Sequence, residues 1–260
     1  MLLAALALFG GCQRGQQVRV PRLEPPPKGI ALDPPAPASL LWLRVVSAKI
    51  PARTSAGVDW DESGGLPDPR VALLIDGEEA FRTSTVTDSL TPVWAGGPSG
   101  TFEFRSGRRI VVQLSDDDGL RSQPIGDVEL PEPEPEVQAA GFIDLDIGPS
   151  AQVRIALRTP PALFGLGMTF RFMAGKCHVT SRFEHGPAGR AGLEVGDRID
   201  TIGGRPVAEM SSGAVRSAFL SVPMNGLQLQ VVHSGAGTTE TVQLPEGPIY
   251  PLYSEQDLVH

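Results

Sequence analysis

Two groups of acidic residues are the side chains in this sequence best placed to do chemistry. The first group is Asp59, Asp61 and Glu62, ahead of Asp68-Pro69, and the second is the run Asp116-Asp117-Asp118. Carboxylates this close in sequence repel one another, which costs stability unless a cation lies between them. Ca²⁺ prefers hard oxygen ligands, and two loops can supply them together. The pattern predicts a calcium site, and the alternative is a solvated acidic loop that binds no ion.

Three apolar residues occur inside the same acidic segments, where turns normally carry polar side chains. They are Val58, Trp60 and Leu120. Tryptophan is well suited to the boundary between lipid and water. We therefore predict that Trp60 and Leu120 contact a membrane. The alternative is that Trp60 packs across its own loop.

The remaining reactive residues do not make up a catalytic set. The chain has 2 cysteines and 4 histidines, too few for a zinc finger or a disulfide scaffold. It contains neither a Gly-x-Ser-x-Gly turn nor a His-Glu-x-x-His helix. Cys177 stands at the start of a predicted strand, where we expect a buried small residue and not a nucleophile. No catalytic residue is predicted, and the chain is expected not to be an enzyme.

Composition indicates the fold class and excludes one class of partner. A chain of 260 residues has the length of one or two domains. With 30 glycines, 25 prolines and only 6% aromatic residues, it favours turns and short strands, so the fold is predicted to be mainly β. The net charge of −8 argues against a nucleic-acid binder, which needs clustered Lys and Arg.

The first twelve residues carry the pattern of an export signal. Residues 2–9 form an apolar run that is too short to cross a bilayer core of about 30 Å but fits the apolar region of a signal peptide. The string Leu8-Phe9-Gly10-Gly11-Cys12 resembles the lipobox of bacterial lipoproteins, which implies that Cys12 is lipidated. Gln13 in place of Asp implies, by the same resemblance, the periplasmic face of the outer membrane. The alternative is an ordinary cleaved signal with an incidental cysteine.

Residues 13–39 are predicted to be a disordered, proline-rich tether. They show no periodic apolar pattern, and seven prolines in the segment favour an extended backbone without internal hydrogen bonds. Such a tether would hold the folded part of the chain away from the membrane.

Short β-branched stretches separated by Gly, Asp and Pro follow over residues 40–158 and predict a β-sandwich. Several pieces of this segment resemble a C2 domain, the calcium-dependent membrane-binding sandwich. These pieces are Ala48-Lys49-Ile50-Pro51, Asp68-Pro69, Arg82-Thr83, Leu90-Thr91-Pro92-Val93-Trp94, the run Asp116-Asp117-Asp118, and Ile125-Gly126. The resemblance implies that calcium and a membrane are ligands of this domain.

The same resemblance implies a ligand set for calcium. Asp68, Asp116 and Asp118 fall on positions whose carboxylates bind the ion in the family, and Asp117 contributes its carbonyl between the last two. Asp61 lies one residue further from Asp68 than usual, so either the loop is longer or Glu62 substitutes. Gln123 stands where a further Asp is common, which implies fewer ions or weaker binding.

Residues 162–246 carry a second set of motifs. The stretch from Pro187 to Ile199 reads Pro-Ala-x-x-Ala-Gly-Leu-x-x-Gly-Asp-x-Ile, which resembles the signature of a PDZ domain. The resemblance implies an α+β, partly open barrel, preceded by the C2-like sandwich and followed by a tail over 247–260. The alternative is that this domain serves only as a rigid spacer.

A peptide-binding groove is predicted within this second domain. The loop Gly165-Leu166-Gly167 would present backbone N–H groups to a peptide carboxylate, and the strand from Met168 would offer its edge to the peptide. Ser211 and Val215, on the helix across the groove, would face the ligand.

These observations predict a non-catalytic envelope lipoprotein that binds protein C-termini or extended peptides. Its C2-like module would bind calcium and membrane. The alternative function is an accessory subunit that delivers substrates to an envelope protease or secretion system.

Overall fold

The computed structural model describes residues 17–18, 35–60, 65–105, 107–119 and 121–258. The chain is mainly β, as predicted, and divides into two compact units. The first unit contains the described residues from 35 to 163 together with 250–258. The second contains 17–18 and 164–249. None of the described helices is long and apolar enough to cross a membrane.

The earliest described strand, β1 (Gln17–Val18), belongs to the second unit. The first unit is a sandwich of two four-stranded antiparallel sheets, with strand orders β5-β2-β9-β8 and β4-β3-β6-β7. Its strands are β2 Leu40–Lys49, β3 Pro69–Ile75, β4 Glu78–Arg82, β5 Ser99–Glu103, β6 Ile110–Asp117, β7 Ser122–Glu129, β8 Phe142–Ile147 and β9 Ala151–Arg158.

Alternating apolar residues build the core between the two sheets. In β2, Leu43 and Val45 are buried and lie opposite Leu157 and Ile155 of β9. Successive side chains of a strand point to opposite faces, so this alternation turns one face of each sheet inward. The predicted β-sandwich is therefore confirmed.

A strand of the second sheet extends into the acidic run. β6 continues through Asp117, so Asp118 is the first residue of the run beyond the strand. Asp116 lies opposite Pro69 of β3, and the Asp117 N–H donates to the Asp68 carbonyl. These contacts extend the β3–β6 ladder into the acidic residues, so part of the run is held rigidly.

A proline- and glutamate-rich segment, residues 131–136, lies inside the first unit, because β8 and β9 follow it and join the same sheet as β2. It contains a short helix, α1 (Pro135–Ala140), which begins with Pro135 in the first turn. The helix ends at Gly141, whose φ of 79° is the left-handed conformation that favours glycine.

Residues 250–258 return to the first unit and do not form a free tail. Tyr250 and Leu252 are buried beside Leu40, and a short 3₁₀ helix spans Tyr253–Leu258. The ring of Tyr253 stacks on Phe102 with a centroid distance of 5.6 Å. The predicted tail over 247–260 is thus divided, since its first residues belong to the second unit.

The second unit combines an antiparallel sheet with two helices. The sheet has the order β1-β11-β12-β13-β15-β16, with β14 attached to β13, and a separate pair joins β10 to β17. The strands are β10 Leu163–Gly165, β11 Met168–Met173, β12 Lys176–Arg182, β13 Arg198–Ile202, β14 Arg205–Pro206, β15 Leu227–Val232, β16 Thr239–Leu244 and β17 Gly247–Ile249. The helices are α2 (Pro187–Arg190) and α3 (Ser212–Leu220).

Candidate functional site

Asp68 and Asp116 lie next to each other at the end of the β3–β6 ladder. Asp116 is only 1% exposed, and its Oδ1 accepts a hydrogen bond of 2.6 Å from the Asp68 N–H. Oδ1 of Asp68 in turn accepts from the Asp88 N–H at 2.8 Å. Backbone donors therefore orient both carboxylates at the point where β3 and the loop before it meet β6.

The side chain of Asp117 is engaged elsewhere. Its Oδ2 lies 2.7 Å from Nη1 of Arg70, and the Thr85 hydroxyl donates to the same oxygen at 3.1 Å. An arginine at this distance neutralises the carboxylate, which is then a poor ligand for a cation. This arrangement agrees with the C2 resemblance, which implies only a carbonyl from Asp117. Asp118 is exposed on the loop, and its N–H donates to the Arg121 carbonyl.

The residues described at this edge do not form a closed ion cage. Among them, Asp68, Asp116 and Asp118 do not bring three carboxylate oxygens within 4.8 Å of one another. Three of the predicted site residues, Cys12, Asp61 and Leu120, lie outside the described residues, as does Glu62. The chemistry of the set still suits a hard cation, since carboxylates from two separate loops converge on one edge of the sandwich.

Trp60 packs inward. Its indole N–H donates to the Pro51 carbonyl at 2.8 Å, and the half-buried ring lies against the core of the first unit. This geometry favours the alternative in which Trp60 packs across its own loop. Val58, an apolar residue in the same loop, is 58% exposed. Val58 is therefore better placed than Trp60 to meet a membrane.

In the second unit, the loop Gly165-Leu166-Gly167 is buried and held at two of its carbonyls. The Leu166 carbonyl accepts from the Ala188 N–H at 2.9 Å, and the Gly167 carbonyl accepts from the Phe183 N–H at 2.9 Å. Gly167 has a φ of +73°, and a Cβ there would lie 3.1 Å from the Gly186 Cα. Only glycine fits this close approach without strain. The start of α2 thus fixes the loop that leads into Met168 and the rest of β11.

Helix α3 packs beside β11. The rings of Phe170 and Phe219 lie 4.5 Å apart between their centroids. Ser211 is exposed and caps the helix, because its Oγ accepts the Ala214 N–H at 3.2 Å. Val215, the second residue predicted to face the ligand, is 0% exposed and packs in the core of the second unit. Val215 and Phe219 are four residues apart and form the inward stripe of this helix.

The two edges of β11 pair with strands of different length. Along one edge, β12 pairs with every residue from Met168 to Met173. Along the other edge lies β1, antiparallel, with Gln17 opposite Arg171 and Val18 opposite Phe170. The predicted disordered tether over 13–39 is thus wrong for these two residues. The alternation of Val18 and Val20 with polar neighbours was the one sequence signal for a strand here.

The second unit contains a buried carboxylate network that the sequence did not predict. Asp197 is 1% exposed and accepts hydrogen bonds of 2.9 Å from the N–H groups of Glu194 and Ser234 and from Nδ1 of His233. Nε2 of His233 lies 3.2 Å from Glu240. The hydrogen bond to Asp197, followed by that to Glu240, raises the pKa of His233. Burial opposes the ionisation of Asp197, but the hydrogen bonds from Glu194, Ser234 and His233 together lower its pKa.

Cys177 is buried, as predicted. It has no exposed surface, and burial raises the pKa of its thiol to about 12. A thiol with so high a pKa is not a nucleophile at neutral pH.

Comparisons with known proteins identify the first unit. Residues 40–144 match the model of the C2 domain family, so the chain contains a C2 domain. A calcium-bound structure of the two C2 domains of extended synaptotagmin 2 is similar, with 18% identity over 49% of this chain and 48% of that chain and a TM-score of 0.35. A C2 domain of plant extended synaptotagmin 1 has 15% identity over 48% of this chain and 96% of that chain, with a TM-score of 0.35.

A third similar structure is the human GIVD cytosolic phospholipase A2 in complex with methyl gamma-linolenyl fluorophosphonate inhibitor and terbium chloride. It shares 18% identity over 55% of this chain and 20% of that chain, with a TM-score of 0.34. The chain spans about half the length of the extended synaptotagmin 2 structure. No curated protein matches the sequence.

Proposed function

We propose that this chain is a non-catalytic recognition protein of the cell envelope. In this proposal the second unit is a PDZ-type domain that binds protein C-termini or extended peptides, and the C2 domain binds calcium and a membrane surface. The observation that carries the proposal is the edge of β11. Within the described residues, that edge has a partner only two residues long, and it lies between a fixed glycine loop and α3.

An added peptide strand would use the main chain of β11 for its hydrogen bonds. Strand addition of this kind gives affinity through backbone pairing and specificity through alternate side chains. In an antiparallel arrangement, the C-terminal end of the peptide points toward Met168 and the Gly165–Gly167 loop. Successive backbone N–H groups in such a loop form a concave site suited to a carboxylate. With Val215 in the core, Ser211 is the predicted ligand-facing residue of the helix that remains exposed.

The C2 domain supplies the membrane side of the proposal. Asp68, Asp116 and Asp118 would hold calcium with the Asp117 carbonyl, and Val58 projects from the neighbouring loop. A lipidated Cys12 would anchor the chain to the periplasmic face of the outer membrane. The anchor and the location rest on the sequence pattern around Cys12 alone.

Calcium should stabilise the first unit of the full chain. Binding to the folded form adds RT ln(1 + [L]/Kd), which at ~5 mM calcium and a Kd of ~10⁻⁴ to 10⁻³ M amounts to about 1 to 2 kcal/mol. We expect the double variant Asp116→Asn and Asp118→Asn to lose this gain, measured as the calcium-induced shift in melting temperature.

Asp117→Asn is the matched control for the calcium experiment. It removes one carboxylate charge from the same run, but that charge pairs with Arg70. The control should therefore melt earlier than the parent chain and keep the full calcium shift. An absent shift in the parent chain at the same calcium concentration would leave an acidic sandwich edge that binds no ion.

The second unit should prefer a peptide with a free C-terminal carboxylate. Hydrogen bonds to a charged group contribute roughly 1.5–3 kcal/mol, so amidation of the peptide should weaken binding on the order of tenfold to a hundredfold. The measurement is a titration of the full chain with a library of C-terminal peptides and their amidated forms.

Gly167→Asp should reduce binding of the free acids, because a Cβ at this position displaces the loop and the added carboxylate repels that of the peptide. Gly204→Asp is its control, since Gly204 also has a left-handed φ, of +77°, and a Cβ there meets no atom within 4 Å. Equal binding of acid and amide would mean that the edge binds internal segments. An absence of binding by the whole library would remove the peptide function.

A further inference from the structure

The edge of β11 already pairs with a piece of this chain. β1 runs antiparallel to β11, with Gln17 opposite Arg171 and Val18 opposite Phe170. Phe170 is the residue whose ring contacts Phe219 of α3. The pairing therefore lies beside the helix and along the edge to which the proposed function assigns an added peptide strand.

The direction of β1 matches that of a peptide bound by its C-terminal end. From Gln17 to Val18 the chain passes from Arg171 to Phe170, which is toward Met168 and the Gly165–Gly167 loop. Gln17 and Val18 are internal residues of the sequence, so no terminal carboxylate is present at these positions. The described contact of this segment with β11 is the backbone pairing of two residues.

We propose that the segment around Gln17–Val18 is a built-in ligand of the β11 edge. It competes with external peptides for that edge, and the class of ligand it represents is an extended internal strand. This inference rests on the proposed function, because it assumes that the edge binds peptides. It adds that the resting chain occupies its own groove and that a partner must displace β1 to bind.

Tethering makes such competition effective even when the segment binds weakly. Covalent linkage gives a segment an effective concentration at its binding site, which is on the order of 1 mM for a short flexible linker. Against a segment whose free form has a Kd of ~100 μM, that concentration leaves the edge open in about one molecule in ten. The apparent affinity for an external peptide falls by the same factor, because only the open fraction can bind.

The test uses a labelled peptide with the sequence of residues 13–24, amidated at its end, and the full chain. The double variant Gln17→Pro and Val18→Pro removes the two N–H donors of β1 and so blocks its pairing. In an antiparallel ladder only every second residue pair is hydrogen-bonded. Changing both residues therefore removes the hydrogen-bonded pair, whichever of the two it is. We expect the variant to bind the probe about tenfold more tightly than the parent chain does, by fluorescence anisotropy.

The matched control replaces Lys28 and Gly29 by proline. These two residues lie beside Pro25-Pro26-Pro27, in the same N-terminal segment, and are not the paired ones. The control should bind the probe with the affinity of the parent chain. Amide hydrogen exchange gives a second readout, since the amides of β11 should exchange faster in the Gln17 and Val18 variant and not in the control.

Two outcomes would overturn the inference, and they are distinguishable from failure of the proposed function. Equal probe affinity in the parent, the variant and the control would show that β1 does not compete. No probe binding to any of them, while the C-terminal peptide library still binds, would show that the segment is not a ligand. Failure of both the library and the probe would instead remove the peptide function itself.

Discussion

Replacement of Asp197 by alanine should lower the free energy of unfolding of the second unit by about 3 to 5 kcal/mol, because it leaves donors that met a buried charged acceptor without a partner, at roughly 1–3 kcal/mol each. The carboxylate is almost fully buried and accepts three hydrogen bonds, from Glu194, Ser234 and His233. It joins the turn before β13 to the residues that follow β15. A domain of this size has only about 5 to 15 kcal/mol in total, so a large share of the molecules should unfold under mild denaturant.

The two units can be followed separately in the full chain. All three tryptophans, Trp42, Trp60 and Trp94, belong to the first unit, and residues 164–249 contain neither Trp nor Tyr. Trp fluorescence thus reports on the first unit, and hydrogen exchange of β13 and β15 reports on the second. Asp200→Ala is the matched control, because Asp200 pairs with Arg198 at the surface and such pairs contribute about 0 to 1 kcal/mol. Similar losses in the two variants would contradict the role given to Asp197.

The same network should make the stability of the second unit depend on pH. The pKa of His233 is raised in the folded state, first by the hydrogen bond to Asp197 and then by that to Glu240. Its contribution is therefore fully present below about pH 6.5, the pKa of an unperturbed His, and is lost as the pH rises through the folded value. Asp197, whose pKa is lowered, contributes above its unfolded pKa and loses that contribution as the pH falls through the folded value. His233→Gln should flatten the decline in stability that begins as the pH rises above about 6.5.

The sequence predicted the fold best where the residues of a single strand determine which face of the sheet is buried. Short β-branched stretches predicted the β-sandwich, and the motifs within them resemble those of a C2 domain. In the structure, burial of one sheet face accounts for the alternation of apolar residues along the strands. The role of the Asp117 side chain was not predictable, since its pairing with Arg70 depends on the register in which Pro69 lies opposite Asp116. Strand register follows from contacts far apart in the sequence.

Two features of the second unit could not be predicted from the sequence: the short strand β1 and the face of α3 that packs inward. β1 is two residues long and lies in a proline-rich segment, so periodicity could not distinguish it from the tether. Val215 was assigned to the groove face of α3, but the structure gives that stripe to the core. A helix of nine residues presents several apolar positions, and only tertiary packing decides which of them turn inward.

Residues 250–258 should stabilise the C2 domain, a contribution that no sequence pattern indicated. Tyr253 stacks on Phe102, and its ring centroid lies 5.4 Å from that of Phe81. Aromatic pairs contribute about 0.5–1.5 kcal/mol each beyond the area that they bury, so Tyr253→Ala should cost about 2 to 4 kcal/mol. The expected result is a lower denaturant midpoint for the Trp fluorescence transition, with hydrogen exchange in the second unit unchanged.

Two further variants separate the aromatic contact from a general effect of changing this segment. Ser254→Ala alters the exposed neighbour of Tyr253 in the same short helix and should leave the midpoint where it is. Gly100→Val should disturb the same contact by a change in β5, because even a Cβ at Gly100 would collide with the Tyr253 ring. That variant should lower the midpoint as Tyr253→Ala does, and the double variant should lose less than the sum of the two single losses, since both remove one contact. If Tyr253→Ala keeps the midpoint of Ser254→Ala, residues 250–258 rest on the sandwich without stabilising it.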